Sequence, residues 1–165
     1  MRILFVCMGN ICRSPTAEVV LRERARRAGV LDALTIDSAG THDYHVGRPP
    51  DRRAREAAMR RGYDMSALRA RQVVADDLIR FDRIYAMDHD NLAALNAVAS
   101  GLDAASAAKP ALLLDVCTDP WTRDVPDPYY GGKRGFEDVL DLIEQAVDAI
   151  VDGIVAERRA EQGSA

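Results

Sequence analysis

The sequence lacks any apolar run long enough to cross a membrane, and it contains few cysteines. No hydrophobic stretch approaches the ~18 residues that a membrane span needs, so we expect no membrane partner. The three cysteines are an odd number and do not suit the paired framework of a disulfide-stabilised secreted domain. The first apolar segment follows Met1 almost at once, which leaves no room for a signal peptide. We therefore expect a cytoplasmic protein, and secretion without a signal peptide stays open.

Excess positive charge is also absent. The formal net charge is −4 at pH 7, which argues against nucleic acid as a partner. The arginine-rich stretch 52–61 is interrupted by Glu56 and by alanines, as expected for the solvated face of a helix. Most basic residues are arginine and alanine is abundant, which suggests a bacterium with a GC-rich genome. The 165 residues fit one domain, which we place at 1–158 with a C-terminal tail at 159–165, and we expect a monomer.

The chain does contain a regular alternation of short apolar segments with helical patterns. The strand-like segments are 3–6, 34–39, 83–87 and 111–116, and the helical patterns are 15–28, 51–61, 75–80, 92–99 and 136–154. Loops are expected at 40–50, 101–110 and 117–134. Strands separated by helices predict a single-domain α/β fold, with an open parallel four-stranded sheet and helices on both faces. Ligands of such sheets bind beyond the carboxyl ends of the strands.

A phosphate loop is predicted directly after the first strand. It reads Cys7-Met8-Gly9-Asn10-Ile11-Cys12-Arg13-Ser14-Pro15. Pro15 suits the first turn of a helix and Ser14 its N-cap, so the loop joins a strand to a helix N-terminus. Backbone N–H groups in such a place bind a dianion such as phosphate. Gly9 permits the backbone angles that the curvature needs, and the Arg13 guanidinium can grip two oxygens of a phosphoryl group at once.

Cys7 lies where these donors converge. The field that attracts phosphate favours its thiolate, and the Ser14 hydroxyl can donate a hydrogen bond to the sulfur. A thiolate at the base of a phosphate cradle is placed for in-line attack on phosphorus. Two other interpretations are ordinary buried thiols beside a surface arginine, or a zinc site formed by Cys7, Cys12, His42 and His45. Because the spacing of the cysteines and histidines does not suit zinc, no metal or other cofactor is expected.

The pattern Cys-x5-Arg-Ser-Pro after an N-terminal strand resembles the phosphate loop of the low-molecular-weight protein tyrosine phosphatases, and the resemblance covers essentially the whole chain. It implies a sheet ordered 2-1-3-4 and metal-independent hydrolysis of phosphotyrosine and small aryl phosphates through a phosphocysteine intermediate. The expected partners are a phosphotyrosine-containing protein and, as product or inhibitor, inorganic phosphate or another oxyanion. The resemblance implies that phosphate is bound by the N–H groups of Met8, Gly9, Asn10, Ile11, Cys12 and Arg13.

A proton donor is expected in the last long loop. Loss of a tyrosyl oxygen leaves a phenolate whose pKa is about 10, so an acid that protonates it accelerates the reaction by about 10² to 10⁴. Asp127 stands between Pro126 and Pro128, which stiffen the loop. The string Asp-Pro-Tyr-Tyr matches the second motif of the family, which implies that Asp127 is first the general acid and then the base that activates water. Asp119 and Asp124 lack that match and are expected to face solvent.

Three tyrosines are candidates for the walls of the substrate cleft. Tyr129 and Tyr130 belong to the Asp-Pro-Tyr-Tyr string, and Tyr44 lies in the loop after the second strand. The resemblance implies that they flank the phenyl ring of the substrate. Packing of the loop onto the sheet is an equal alternative for the first two. His42 and His45 are not family motif positions and are expected to be exposed.

The resemblance also implies supporting roles. Asn10 and Ser38 are expected to form a hydrogen-bonded pair that shapes the loop, with Ser38 capping its own turn as the alternative. Cys12 is expected to form a reversible disulfide with Cys7 on mild oxidation, unless it only fills space. Cys117 is expected to be an inert thiol at a strand end.

Three rival functions are weighed against the phosphatase. A thiol-dependent arsenate reductase on the same fold needs two further cysteines, and only Cys117 stands outside the loop. Phosphoarginine phosphatases of the same family carry threonine where Ile11 stands here. A phosphate-binding module would not need both a nucleophile and an acid. A further matching string holds Asp88 and Asn91, which are expected to close the third strand onto its helix rather than to touch substrate.

Overall fold

The protein folds into a sheet of four parallel strands that is covered by helices on both faces, which is the predicted α/β architecture. The computed structural model describes residues 1–103, 105–118 and 120–163. The strands are β1 (Arg2–Cys7), β2 (Thr35–Gly40), β3 (Arg83–Ala86) and β4 (Ala111–Leu112). The α-helices are α1 (Arg13–Arg27), α2 (Arg52–Arg60), α3 (Ala75–Arg80), α4 (His89–Ala99) and α5 (Lys133–Gly163). The order in the sheet is β2-β1-β3-β4, which confirms the order that the family resemblance implied.

The alternation of side chains along β1 divides the core into two layers. Ile3 and Phe5 pack into one apolar cluster with residues of α1, α2 and α5. Leu4 and Val6 pack into a second cluster with residues of α3 and α4. The apolar stripe predicted within 136–154 is buried in the first cluster. Because β1 is covered on both faces and paired on both edges, its carboxyl end is held in the middle of the molecule.

The fourth strand is shorter than predicted. The apolar segment 111–116 was expected to be extended throughout, but only Ala111 and Leu112 pair with β3. Since β3 itself ends at Ala86, the edge strand has no partner beyond this point. The chain turns into a 3₁₀ helix, Leu113–Val116, whose two leucines are buried against the cluster that contains α5. Cys117 therefore follows a 3₁₀ helix rather than a strand.

Other boundaries differ by a few residues. α1 begins at Arg13, and its N-cap position is occupied by Cys12 rather than by Ser14. Gly29 follows α1 with a positive φ of 69°, the backbone conformation that commonly ends a helix. α5 runs on to Gly163, so 159–163 continue the helix and 164–165 lie outside the described residues. Within the described part of the chain, no helix is long and apolar enough to span a membrane.

Candidate active site

The loop between β1 and α1 turns several carbonyl groups toward the surrounding protein. In a trans peptide the C=O and the next N–H point in opposite directions, so the N–H groups that follow these carbonyls face the interior of the loop. Among the described residues, no protein group accepts a hydrogen bond from the N–H groups of 8–13, which leaves these donors for an anion. The carbonyl contacts are Thr41 N to Cys7 O (2.9 Å), His42 N to Met8 O (3.0 Å), Asp51 N to Ile11 O (2.8 Å) and Thr16 Oγ1 to Cys12 O (2.6 Å).

Two glycines make room for the loop. A Cβ on Gly40, the last residue of β2, would lie 2.7 Å from Met8 O, which is too close for any side chain. A Cβ on Gly9 would lie 2.9 Å from the His45 ring. The prediction that Gly9 supplies special backbone angles is wrong, since the left-handed residue of the loop is Asn10, with φ 56°.

The side chain of Asn10 joins three parts of the structure. Its Nδ2 donates to Ser14 Oγ and to Ser38 Oγ, both at 2.9 Å, and its Oδ1 accepts from the Arg71 N–H at 2.9 Å. These bonds satisfy the amide and hold a residue whose positive φ is otherwise unfavourable. The expected Asn10–Ser38 contact is therefore present. The Ser38 hydroxyl does not cap its own turn, because it donates to Glu18 Oε2 at 2.6 Å.

Cys7 ends β1 and is buried at the base of the loop. Its sulfur lies 3.0 Å from Ser14 Oγ, so the serine predicted to cap the helix is turned toward the sulfur instead. The network continues through Ser38 to Glu18, a buried carboxylate on α1 that also accepts from Arg22 at 2.6 Å. Burial raises the pKa of Glu18, although the hydrogen bonds from Ser38 and Arg22 act in the opposite direction.

Arg13 is held by three groups from distant parts of the chain. Its Nη1 donates to Asp88 Oδ2 (2.5 Å) and to the Val125 carbonyl (3.0 Å), and its Nη2 lies 3.4 Å from Asp127 Oδ2. The side chain is 2% exposed. Burial works against its charge, but Cys7, Asp88 and Asp127 outweigh burial and raise the pKa of the guanidinium above its ordinary value. A fixed cation therefore lies beside the sulfur.

The loop that carries Asp127 is attached to the carboxyl end of the sheet. The Val125 N–H donates to Met87 O at 2.8 Å, and Asp124 accepts from the His89 N–H at 3.1 Å and pairs with His89 Nδ1 at 2.6 Å. Asp124 was expected to face solvent, but these contacts with His89 anchor the loop. Asp119, for which the same was expected, lies outside the described residues. Asp127 reaches the mouth of the cleft, where its Oδ1 accepts from the Tyr129 N–H at 3.1 Å.

A cleft of about 280 Å³ opens above the phosphate loop. Tyr130 is 92% exposed, Tyr44 67% and Tyr129 38%, so all three aromatic rings are available to a ligand. His42 is exposed and stacks on Tyr44, whereas His45, which was expected to be exposed, is half-buried on the cleft wall. The cleft is lined by Cys7, Met8, Gly9, Ile11, Cys12, Arg13, Tyr44, His45, Asp127, Tyr129 and Tyr130.

The cysteines differ in their surroundings. All three are free thiols, with Cys7 and Cys12 buried and Cys117 half-buried. Burial raises the pKa of the Cys12 thiol well above its ordinary value, and the neighbouring Asp51, Cys7 and Asp127 groups add to this effect, whereas Arg53 opposes it. Burial also raises the pKa of Cys117. The second cysteine of the loop is therefore a neutral thiol at physiological pH.

Three residues around the site were missed by the sequence reasoning. Asp88 caps α4 by accepting from the Asn91 N–H at 2.8 Å. It also accepts a hydrogen bond from Arg13, a contact that no sequence spacing predicts. Glu18 had a detectable signal, since a carboxylate on the apolar face of a helix requires a buried partner. Arg53 was assigned to a solvated helix face, yet its guanidinium lies over the Tyr129 ring.

The family profile described as low molecular weight phosphotyrosine protein phosphatase matches residues 2–160. The low molecular weight protein-tyrosine-phosphatase YfkJ of Bacillus subtilis is 41% identical over 95% of this chain and 97% of its own length. A crystal structure of a protein tyrosine phosphatase from Entamoeba histolytica, with Hepes in its active site, is 39% identical. It superposes with a TM-score of 0.88 over 96% of this chain and 99% of that chain. A Drosophila arginine phosphatase superposes with a TM-score of 0.87 at 30% identity, over 93% of this chain and 98% of that chain.

Proposed function

Because the chain belongs to the low molecular weight phosphotyrosine protein phosphatases, we propose that it is a metal-independent enzyme that hydrolyses protein phosphotyrosine and small aryl phosphates. One observation carries the proposal. Cys7, Arg13 and Asp127 line one cleft, although Arg13 and Asp127 are separated by 114 positions in the chain. This arrangement supplies a nucleophile, an anion clamp and a proton donor.

The first step transfers the phosphoryl group to the enzyme. The Cys7 thiolate attacks phosphorus, an S–P bond forms, and the bond to the tyrosyl oxygen breaks. Asp127 donates its proton to the departing oxygen, which would otherwise leave as a phenolate with a pKa of about 10. Arg13 and the free N–H groups of 8–13 bind the equatorial oxygens, where negative charge is concentrated in the transition state.

The second step regenerates the enzyme. The Asp127 carboxylate takes a proton from a water molecule, which attacks the phosphorus of the phosphocysteine. The S–P bond breaks, its electron pair returns to Cys7, and inorganic phosphate leaves. A hydrogen bond from Ser14 to the sulfur, supported by the 3.0 Å separation, stabilises the thiolate as a leaving group.

Phosphoarginine is a second candidate substrate, because one structural neighbour is named an arginine phosphatase. Ile11 lines the cleft of this chain, and the apolar side chain favours an aromatic ester over a polar guanidino group. The aromatic rings of Tyr44, Tyr129 and Tyr130 support the same choice, since they can stack on a phenyl ring.

The experiment compares p-nitrophenyl phosphate with peptides that contain phosphotyrosine, phosphoserine or phosphoarginine, all in the presence of EDTA. The wild type is expected to cleave the aryl esters, and Cys7→Ser is expected to be inactive. Asp127→Ala should lose about 10² or more in kcat/KM for phosphotyrosine. Activity retained by Cys7→Ser would overturn the phosphocysteine mechanism, and preference for phosphoarginine would replace the substrate.

Cys12 is the proposed redox partner of Cys7. Hydrogen peroxide oxidises the Cys7 thiolate to a sulfenic acid and is reduced to hydroxide. The Cys12 sulfur then attacks, an S–S bond forms and water leaves. The raised pKa of Cys12 supports this order, because the neutral thiol is the poorer nucleophile toward peroxide. We also propose that the protein is bacterial, monomeric and cytoplasmic, and that its phosphatase domain spans residues 1–158.

A further inference from the structure

The Arg53 side chain connects two loops of the cleft. It lies in the first turn of α2, and its guanidinium carbon is 5.4 Å from the centre of the Tyr129 ring and 5.0 Å from that of Phe136. A guanidinium at this distance from aromatic rings is attracted to their faces. Tyr129 belongs to the loop of Asp127, whereas Phe136 belongs to α5, so one cation contacts both.

Arg53 is fixed on its other side by Asp51. Its Nε and Nη2 donate to the two oxygens of that carboxylate, at 3.1 and 3.0 Å. Partial burial acts to raise the pKa of Asp51, but the hydrogen bonds from Arg53 outweigh it and hold the pKa below its ordinary value. The Asp51 N–H donates to Ile11 O of the phosphate loop at 2.8 Å. Asp51 therefore connects Arg53 to the phosphate loop.

The contact continues from Tyr129 to the acid. The Tyr129 N–H donates to Asp127 Oδ1 at 3.1 Å. The ring of the same tyrosine is the one that the Arg53 guanidinium contacts. A continuous series of contacts thus runs from Ile11 through Asp51, Arg53 and Tyr129 to Asp127. Proton transfer depends on the distance and angle between the acid and the leaving oxygen, so this series can set the efficiency of Asp127.

We propose that Arg53 is a positioning residue that holds Tyr129, and through it Asp127, at a fixed place above the phosphate loop. The inference rests on the proposed phosphatase function and deepens it. Arg53 does not touch the reacting atoms. Its effect is therefore expected to be larger on substrates whose leaving group needs a proton than on those whose leaving group is weakly basic.

The test measures kcat/KM for two aryl esters. Phenyl phosphate releases a strongly basic phenolate and needs the acid, whereas p-nitrophenyl phosphate releases a weakly basic one. Arg53→Ala is expected to lower kcat/KM for phenyl phosphate by about three- to tenfold, with a smaller loss for p-nitrophenyl phosphate. Arg53→Lys keeps the charge but lacks the planar face, so we expect an intermediate ratio. Arg52→Ala is the matched control, because Arg52 is 81% exposed and pairs with Glu56.

A double-mutant cycle identifies the route of the effect. If Arg53 acts through Tyr129, Arg53→Ala should change the ratio of the two kcat/KM values far less in a Tyr129→Leu background. Equal losses on both esters, or full additivity with Tyr129→Leu, would overturn the inference while leaving the phosphatase assignment in place. A wild type that cleaves neither ester would overturn the proposed function, and the inference with it.

Discussion

At the scale of single residues, Asn10 sets the direction of the hydrogen bonds that reach the Cys7 sulfur. Its Nδ2 can only donate, so the Ser14 and Ser38 hydroxyls accept from it and direct their own protons elsewhere. The Ser38 proton goes to Glu18. The Ser14 proton is then available to the sulfur at 3.0 Å, or to the more distant Ala39 carbonyl at 3.3 Å. The Asn10 amide, rather than the Glu18 carboxylate, therefore leaves the Ser14 proton free for the sulfur.

The raised pKa of Glu18 predicts how stability depends on pH. A carboxyl whose pKa is higher in the folded state than in the unfolded state favours folding most below the unfolded value, and this contribution is lost as pH rises through the folded value. The advantage in unfolding free energy of the wild type over Glu18→Gln should therefore fall as pH rises from about 4 to neutrality. Urea unfolding at several pH values measures it.

The control for that series is Glu56→Gln, which removes an exposed carboxylate paired with Arg52. Its unfolding free energy should follow that of the wild type to within about 0.5 kcal/mol across the same range. A wild-type advantage over Glu18→Gln that grows with pH would contradict the predicted direction.

At the scale of elements, the end of β2 is pressed against the phosphate loop. Gly40 pairs with Cys7 across the sheet and also bridges to Gln72. The space for a Cβ at Gly40 is occupied by backbone atoms, Met8 O at 2.7 Å and Asn10 N at 3.1 Å. Backbone cannot rotate away as a flexible side chain can, so the loop itself would have to move.

Gly40→Ala is therefore expected to damage both stability and anion binding. The clash should lower the unfolding free energy by about 1–3 kcal/mol and weaken competitive inhibition by inorganic phosphate. Gly153→Ala is the comparison, because nothing lies within 4 Å of a Cβ there and alanine is favoured over glycine within a helix by about 1 kcal/mol. Tight phosphate inhibition in Gly40→Ala would show that the loop tolerates displacement.

At the scale of the whole molecule, the site combines segments that are remote in sequence. Features that depend on one segment could be predicted from the sequence, whereas contacts between segments could not be predicted from a local pattern. The strand before Cys7 and the apolar stripe of α5 are local patterns, and the sequence predicted them closely. It also predicted the loop after Cys7, but not that Asn10 takes the left-handed conformation or that Cys12 occupies the N-cap position. The length of β4 depends on where β3 ends, and the partners of Arg13 depend on how two distant loops meet. No local pattern carries that information, so the role of Asp88 and the contacts of Arg53 became visible only in the fold.

An anion that binds only the assembled site should stabilise the whole protein. Inorganic phosphate at 100 times its dissociation constant should raise the unfolding free energy by about 2.7 kcal/mol, which thermal unfolding can detect. Arg13→Lys keeps the charge but cannot grip two oxygens, so its shift at the same phosphate concentration should be smaller. Sodium chloride of equal ionic strength is the control. An equal shift with chloride would mean general screening rather than a site.

The backbone contacts of the phosphate loop also bear on how this sequence can change over generations. Thr41, His42, Asp51 and Arg71 support the loop with main-chain N–H groups, which every amino acid except proline supplies. Mutation can therefore replace the Thr41 and His42 side chains, and change the nearby wall at Tyr44 and His45, without removing these main-chain contacts. The side chains of the cleft wall can therefore vary while the main-chain contacts that hold the phosphate loop are kept.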